Sequence, residues 1–299
     1  MELLRKNVFP ILAAMIWGSA FVAQSVGAEY MSPFAFNTLR SCIATLALML
    51  VVFLFAKIRK EPLLPPPGER KTLLAGGLCC GLFLTVASAL QQAGLHHTDP
   101  GKAGFITALY IVLVPIAGLF FKKKAPFTVW VAVAVAAIGL YFLCVDPAEA
   151  FYIEQGDLLI IGCAICFTGH ILVIDHFTQK VDGVRLSCLQ FFFVAIFSAV
   201  LMLLFERPDW SVLPQCTVPL LYTGLLSSGV AYTLQIVSQK GANPTVISLL
   251  LSLESVFAVL TGLLFGDRMT GWEWLGCGLM LVAVVFARLP PLDRKAKKV

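Results

Sequence analysis

The sequence predicts an all-α integral membrane protein of ten transmembrane helices arranged as two inverted five-helix repeats. Three observations predict it. The 299 residues are 59% hydrophobic and only 13% charged, with a mean hydropathy of +0.88, whereas soluble domains carry about a quarter of their residues as charges. The apolar residues gather into ten runs of membrane-spanning length, since about 20 helical residues cross a ~30 Å hydrocarbon core. The chain also resembles itself after a shift of 144 residues.

In order, the first half reads as spans at 8–28, 34–56, 73–95, 103–121 and 127–145, and the second as spans at 157–177, 186–205, 218–239, 244–265 and 271–288. The first run is too long for the apolar core of a signal peptide and further spans follow it, so it reads as retained. Pro65, Pro66 and Pro67 keep the basic loop after the second span extended. Residues 1–145 therefore form one five-helix unit, 146–155 an acidic connector on the periplasmic side, 156–288 a second unit and 289–299 a basic cytoplasmic tail.

Loop charge supports the count. When loops are assigned to alternate sides of ten spans, eighteen of the 22 Lys and Arg fall on the side of the termini, among them Lys57, Lys123, Arg185 and Lys297. Only Lys102, Arg207 and Arg268 fall on the other, and Arg40 lies inside the second span. By the positive-inside rule both termini are cytoplasmic. The net charge of +5 thus reports topology and excludes a nucleic-acid partner as its explanation.

Nine cysteines lie almost entirely within apolar runs, where small soft side chains pack between helices. Cys163 and Cys166 are spaced as a C-x-x-C, but mid-helix and without the pattern of a redox domain. No metal site and no cofactor are expected, since His96, His97 and Asp99 lack a third or fourth convergent ligand.

The shift of 144 places Gln91 on Gln235, Pro100 on Pro244 and Trp130 on Trp274, alongside many aliphatic identities. Five spans per half is an odd number, so the halves enter the membrane in opposite directions. Two similar halves of opposite orientation can exchange conformations and open one central site to either side in turn, as in many secondary transporters.

Three stretches carry a family resemblance: LQQAGLHHTDPGKAGFITALYIVLVP in the first half, AYTLQIVSQKGANPTVISLLLSLESVFAVLTGLLFGDR and its continuation to Phe286 in the second, and Trp17-Gly18 in the first span. The chain resembles the paired EamA-type units of the drug/metabolite transporter superfamily over nearly its whole length. That resemblance implies a multi-pass protein of the bacterial inner membrane that moves small metabolites, often amino acids or related solutes. Glu254 matches the Glu of the family's L-E-x-V-F-A segment. Where the family usually has Gly-Glu after the ninth span, this chain has Gly266-Asp267, an acid shortened by one carbon.

Glu254 is the lone carboxylate near the middle of the ninth span. An ionisable group at that depth faces a bundle interior or a wet cavity and marks a functional site by default; the other reading is a protonated Glu bonding two helices. Removal from water disfavours its charged form, so it is the proton-coupling candidate. The substrate-binding candidates are Trp17 of the W-G pair, Gln91 and Gln235 as repeat-related amides that bind ligand or join neighbouring helices, Tyr110 as the 144-residue counterpart of Glu254, and His170 in the sixth span, which reads equally as a cavity-facing group or a packed helix contact. These are expected to approach a common cavity near mid-depth. Arg40 either binds an anionic group or anchors the second span.

His170 and Asp175 are spaced as H-x-x-x-x-D, similar to a glycerolipid acyltransferase motif, but five positions on a helix lie about 140° apart. They cannot hydrogen-bond there, so an acyltransferase-like enzyme is the distant alternative. An enzyme would also need reactive groups at an interface rather than at mid-depth. Small residues mark close packing: Gly77 with Gly81, and Gly262 with Gly266, continued by Ser248, Ser252 and Ser255. The expected function is secondary transport of small organic solutes or drugs by alternating access, proton-coupled through Glu254, with an uncoupled facilitator of the same fold as the alternative. Partners are a small-molecule substrate and the lipid bilayer; the oligomeric state stays open.

Overall fold

In hydrocarbon a backbone must satisfy its own hydrogen bonds, and the computed structural model meets that demand with helices throughout the apolar runs. It describes residues 2–98, 100–123, 125–144, 154–264 and 269–287. Most of the connector at 146–155, the tail at 289–299, and Asp99, Gly266, Asp267 and Arg268 lie outside the described residues.

The ten spans follow in order. Spans 1 to 3 are Glu2–Tyr30, Pro33–Arg59 and Pro67–Gly94. Span 4 is made of Pro100–Ala108 and Tyr110–Phe120, and span 5 is Phe127–Cys144. Spans 6 and 7 are Gln155–Thr178 and Gly183–Phe205. Span 8 joins Leu213–Leu221, a π-helical stretch Tyr222–Ala231 and Tyr232–Gln239. Span 9 is made of Pro244–Leu251 and Glu254–Leu264, and span 10 is Gly271–Phe286. Eight are long and apolar enough to cross a bilayer, and spans 5 and 10 are the shorter pair, themselves repeat mates.

The ends obey local rules. Proline opens spans 2, 3, 4 and 9, where its missing N–H costs nothing. Asn243 accepts the Thr245 N–H at the start of span 9, and Thr270 with Glu273 forms a reciprocal capping box on span 10.

The two halves interlock rather than sit side by side. Span 1 packs on spans 8 and 9, and span 6, its repeat mate, packs on spans 3 and 4. Span 2 packs on span 7 and span 5 on span 10, each pairing a span with its own counterpart. Gly77 and Gly81 let span 3 press on span 7: a Cβ added there would come within 2.6 Å of the Leu189 Cβ and 2.7 Å of the Phe193 Cβ. The outward faces carry Leu46, Phe120, Leu203 and Val218, all well exposed, as a lipid-facing surface requires.

Spans 4 and 9 are each interrupted near their middle. Span 4 breaks at Leu109, where the Leu109 N–H bonds the Ile106 carbonyl three residues back at 3.2 Å. Span 9 breaks at Ser252 and Leu253, where the Leu253 N–H bonds the Leu250 carbonyl, also three residues back, at 3.3 Å. Leu109 and Leu253 are 144 residues apart, as are Ile106 and Leu250. One tightened turn is therefore built twice, and no proline or glycine causes either.

Candidate functional site

Each break ends in a side chain that reaches the centre of the bundle. Tyr110 starts the second half of span 4 and Glu254 the second half of span 9. At 1.5 Å per residue both lie about 15 Å from the start of their spans. The Tyr110 hydroxyl donates to Glu254 Oε1 at 3.0 Å. Glu254 is only 5% exposed, and its neighbour across the seam is Gly18. A Cβ on Gly18 would sit 2.5 Å from the Glu254 carbonyl oxygen and 2.6 Å from the Ala258 nitrogen. The absence of a side chain at that position lets span 1 lie directly on the break of span 9.

Around this pair lies a small cavity in the centre of the bundle. Its lining includes Trp17, Gln91, Tyr110, Gln235 and Glu254, together with Phe21, Gln24, Arg40, Thr107, Phe167 and Tyr232. Aromatic faces from spans 1, 4, 6 and 8 alternate with polar groups that converge among them. Trp17 and Tyr232 meet edge to face at 4.7 Å, and the Trp17 Nε1–H points at the Ser227 carbonyl at 3.4 Å. Ser227 lies in the π-helical stretch of span 8, and such irregular turns recur where helices carry function. The repeat-related amides differ in company. Gln91 donates from Nε2 to Thr107 Oγ1 at 3.2 Å, whereas Gln235 Oε1 is buried without a partner.

Five of the six residues singled out from the sequence thus border one cavity. His170 does not, and its expectation is corrected. Phe167 and Ile171 line the cavity from span 6, and residue 170 is turned about 100° from 171. That rotation sends the fully buried imidazole toward span 7, where Nε2 meets Gln190 Oε1 at 3.0 Å, and sets it behind the Tyr232 ring at 5.9 Å. Asp175 turns elsewhere again and pairs with Lys123, so the H-x-x-x-x-D pair forms no unit. Sequence reasoning missed Gln24, Thr107 and Tyr232. A polar residue inside the first span was the available signal for Gln24; nothing in the pattern distinguished the other two.

Two ion pairs flank the site. Lys102, at the start of span 4, reaches Asp157 at the start of span 6 at 2.6 Å, and Thr98 donates to the same carboxylate at 2.5 Å. At the other end Lys123, just past span 4, pairs with Asp175 near the end of span 6. Span 4 is tied to span 6 at both of its ends.

A model of the EamA-like transporter family matches residues 5–145 and, a second time, residues 154–289. The chain belongs to that family. Among its relatives is an uncharacterised transporter of Archaeoglobus fulgidus, 31% identical over 280 residues that cover 93% of this chain and 84% of the relative. The transporter YwfM of Bacillus subtilis is 23% identical over 97% of this chain and 95% of its own length. The inner membrane transporter YedA of Escherichia coli is 24% identical over 95% and 92% respectively. A crystal structure aligns with a TM-score of 0.76 at 18% identity, covering 95% of this chain and 96% of the other, and so shares the fold. As an EamA-like protein the chain is a multi-pass membrane transporter of ten helices in two repeats.

Proposed function

We propose that this transporter moves small organic solutes across a bacterial inner membrane by alternating access, with Glu254 carrying a proton. The Tyr110–Glu254 hydrogen bond supports the reading above all else. It couples the two repeats at mid-depth beside the central cavity, so a change in the charge of one carboxylate acts on both halves at once. A relative named an inner membrane transporter supports the location, and the basic loops favour cytoplasmic termini. The candidate substrate contacts are Trp17, Gln91, Tyr110 and Gln235, with His170 buttressing Tyr232 from behind. Residues 1–145 and 156–288 act as the two moving units on this reading, joined through 146–155.

The test is Glu254→Gln in proteoliposomes, which keeps size and hydrogen bonding but cannot titrate. Gradient-driven accumulation of a solute carried by the wild type should vanish while exchange at equal pH survives. Unaltered accumulation by the folded variant would remove the proton role and leave an uncoupled facilitator.

A further inference from the structure

Among the described residues Arg40 is the one cation on the cavity wall, and its surroundings do not account for its charge. The guanidinium is 7% exposed. Its hydrogen bond is from Nη1 to Gln24 Oε1 at 2.9 Å, and the Phe36 ring lies under it at 5.8 Å. No carboxylate lies within ion-pairing distance among the described residues. Among the described residues Glu254 is the only acid on the same wall, and it is engaged by Tyr110 instead.

A buried charge without a counter-ion costs several kcal/mol. Arg40 also has a way out that it does not take: it lies about 10 Å from the start of its span, within reach of the interface for a snorkelling side chain. Its neighbours hold it inward. Gln92 Nε2 donates to the Gln24 carbonyl at 3.1 Å, fixing the residue that in turn orients the guanidinium. Guanidinium presents five N–H donors in a planar fork, and the one bond to an amide leaves most of them for something else.

We infer that Arg40, held by Gln24, is a carboxylate-binding subsite, and that the cargo is a small organic monoanion or zwitterion carrying that carboxylate. This rests on the cavity being the transport site. The planar fork matches a carboxylate in bidentate fashion. A single guanidinium balances one negative charge, which argues against phosphate monoesters and dicarboxylates. The unpartnered Gln235 Oε1 offers an acceptor to a hydrogen-bond donor elsewhere on the same solute. The aromatic wall suits an apolar remainder.

The test uses purified full-length protein in detergent with four probes that share one ring: phenylacetate, L-phenylalanine, phenylalaninamide and phenyl phosphate. Binding is followed by equilibrium dialysis and by thermal shift. At least one of the two carboxylates should bind, the amide should not, and phenyl phosphate should bind more weakly. Arg40→Gln should weaken carboxylate binding about tenfold or more, while Arg40→Lys, which keeps charge but loses the fork, should retain part of it. Equal binding of amide and carboxylate, failure of both carboxylates to bind the wild type, or unchanged affinity in both folded variants would overturn the assignment. Flux of the same probes separates it from the broader reading. Carboxylate binding that depends on Arg40, but without flux, refutes transport and keeps the subsite; flux of the amide that survives Arg40→Gln does the reverse.

Discussion

Tyr110 and Glu254 stand at the same position in the two halves of the chain, 144 residues apart, and the hydroxyl of one donates to Oε1 of the other at 3.0 Å. Residues that are images of each other under a two-fold operation can touch only at its axis. The hydrogen bond therefore marks where the pseudo-axis of the inverted repeat passes, and it passes through the cavity.

Exchanging the two side chains should be better tolerated than either change alone. Tyr110→Glu sets two carboxylates against each other in a buried place, and Glu254→Tyr removes the carboxylate. The double exchange restores one donor and one acid at the axis. Thermal unfolding in detergent should rank the double variant several degrees above Tyr110→Glu; a double variant no more stable than that single change would show that the two positions are not equivalent.

Gly18→Ala should destabilise the bundle by about 1–3 kcal/mol, the usual cost of overpacking, because the added Cβ meets two backbone atoms that no rotamer change can move. Gly278 is the control, since nothing lies within 4 Å of a Cβ built there. Gly278→Ala should be neutral or slightly stabilising through helix propensity. Chemical or thermal denaturation of the two variants side by side reads the difference, and equal effects would refute the close crossing.

Asp157→Ala should lower the unfolding temperature by several degrees, because it strips Lys102 and Thr98 of their shared buried partner. Loss of Glu2, whose bond to Lys6 at 2.7 Å lies on the exposed first turn, should change nothing measurable. Similar shifts in the two variants would mean that the Lys102–Asp157 pair contributes no more than a surface contact.

In a background lacking the native cysteines, Lys123→Cys should resist a membrane-impermeant thiol reagent applied from outside intact cells, and Glu149→Cys should react. The reverse pattern would invert the topology and with it the cytoplasmic placement of both termini.

The spans, their number and the repeat were legible because hydropathy and loop charge are both written along the chain. Gln91, Tyr110, Gln235 and Glu254 were legible because polar groups stand out in apolar runs and because the repeat aligns them in pairs. The direction of His170 was not. Inside a membrane both lipid and neighbouring helices accept apolar side chains, so Leu46, at 68% exposed, and the fully buried Phe36 look alike in sequence. Without an amphipathic contrast, the face that residue 170 presents depends on the packing of span 6 against span 7. The breaks at Leu109 and at Ser252–Leu253 were hidden for a related reason: neither contains the proline or glycine that usually signals a kink.

Among the described residues the double fastening of span 4 to span 6 has no twin. Lys102 corresponds by the 144-residue shift to Val246, and Asp157 and Asp175 correspond to Ala13 and Met31, so spans 9 and 1 meet through Gly18 and apolar contact instead. Two girders of one plan are thus joined differently, the first bolted at both ends and the second only pressed together. Among the described residues, tilting within the first breaks an ion pair, while sliding within the second breaks none. The two crossings therefore resist shear unequally, although one repeat supplies the plan of both.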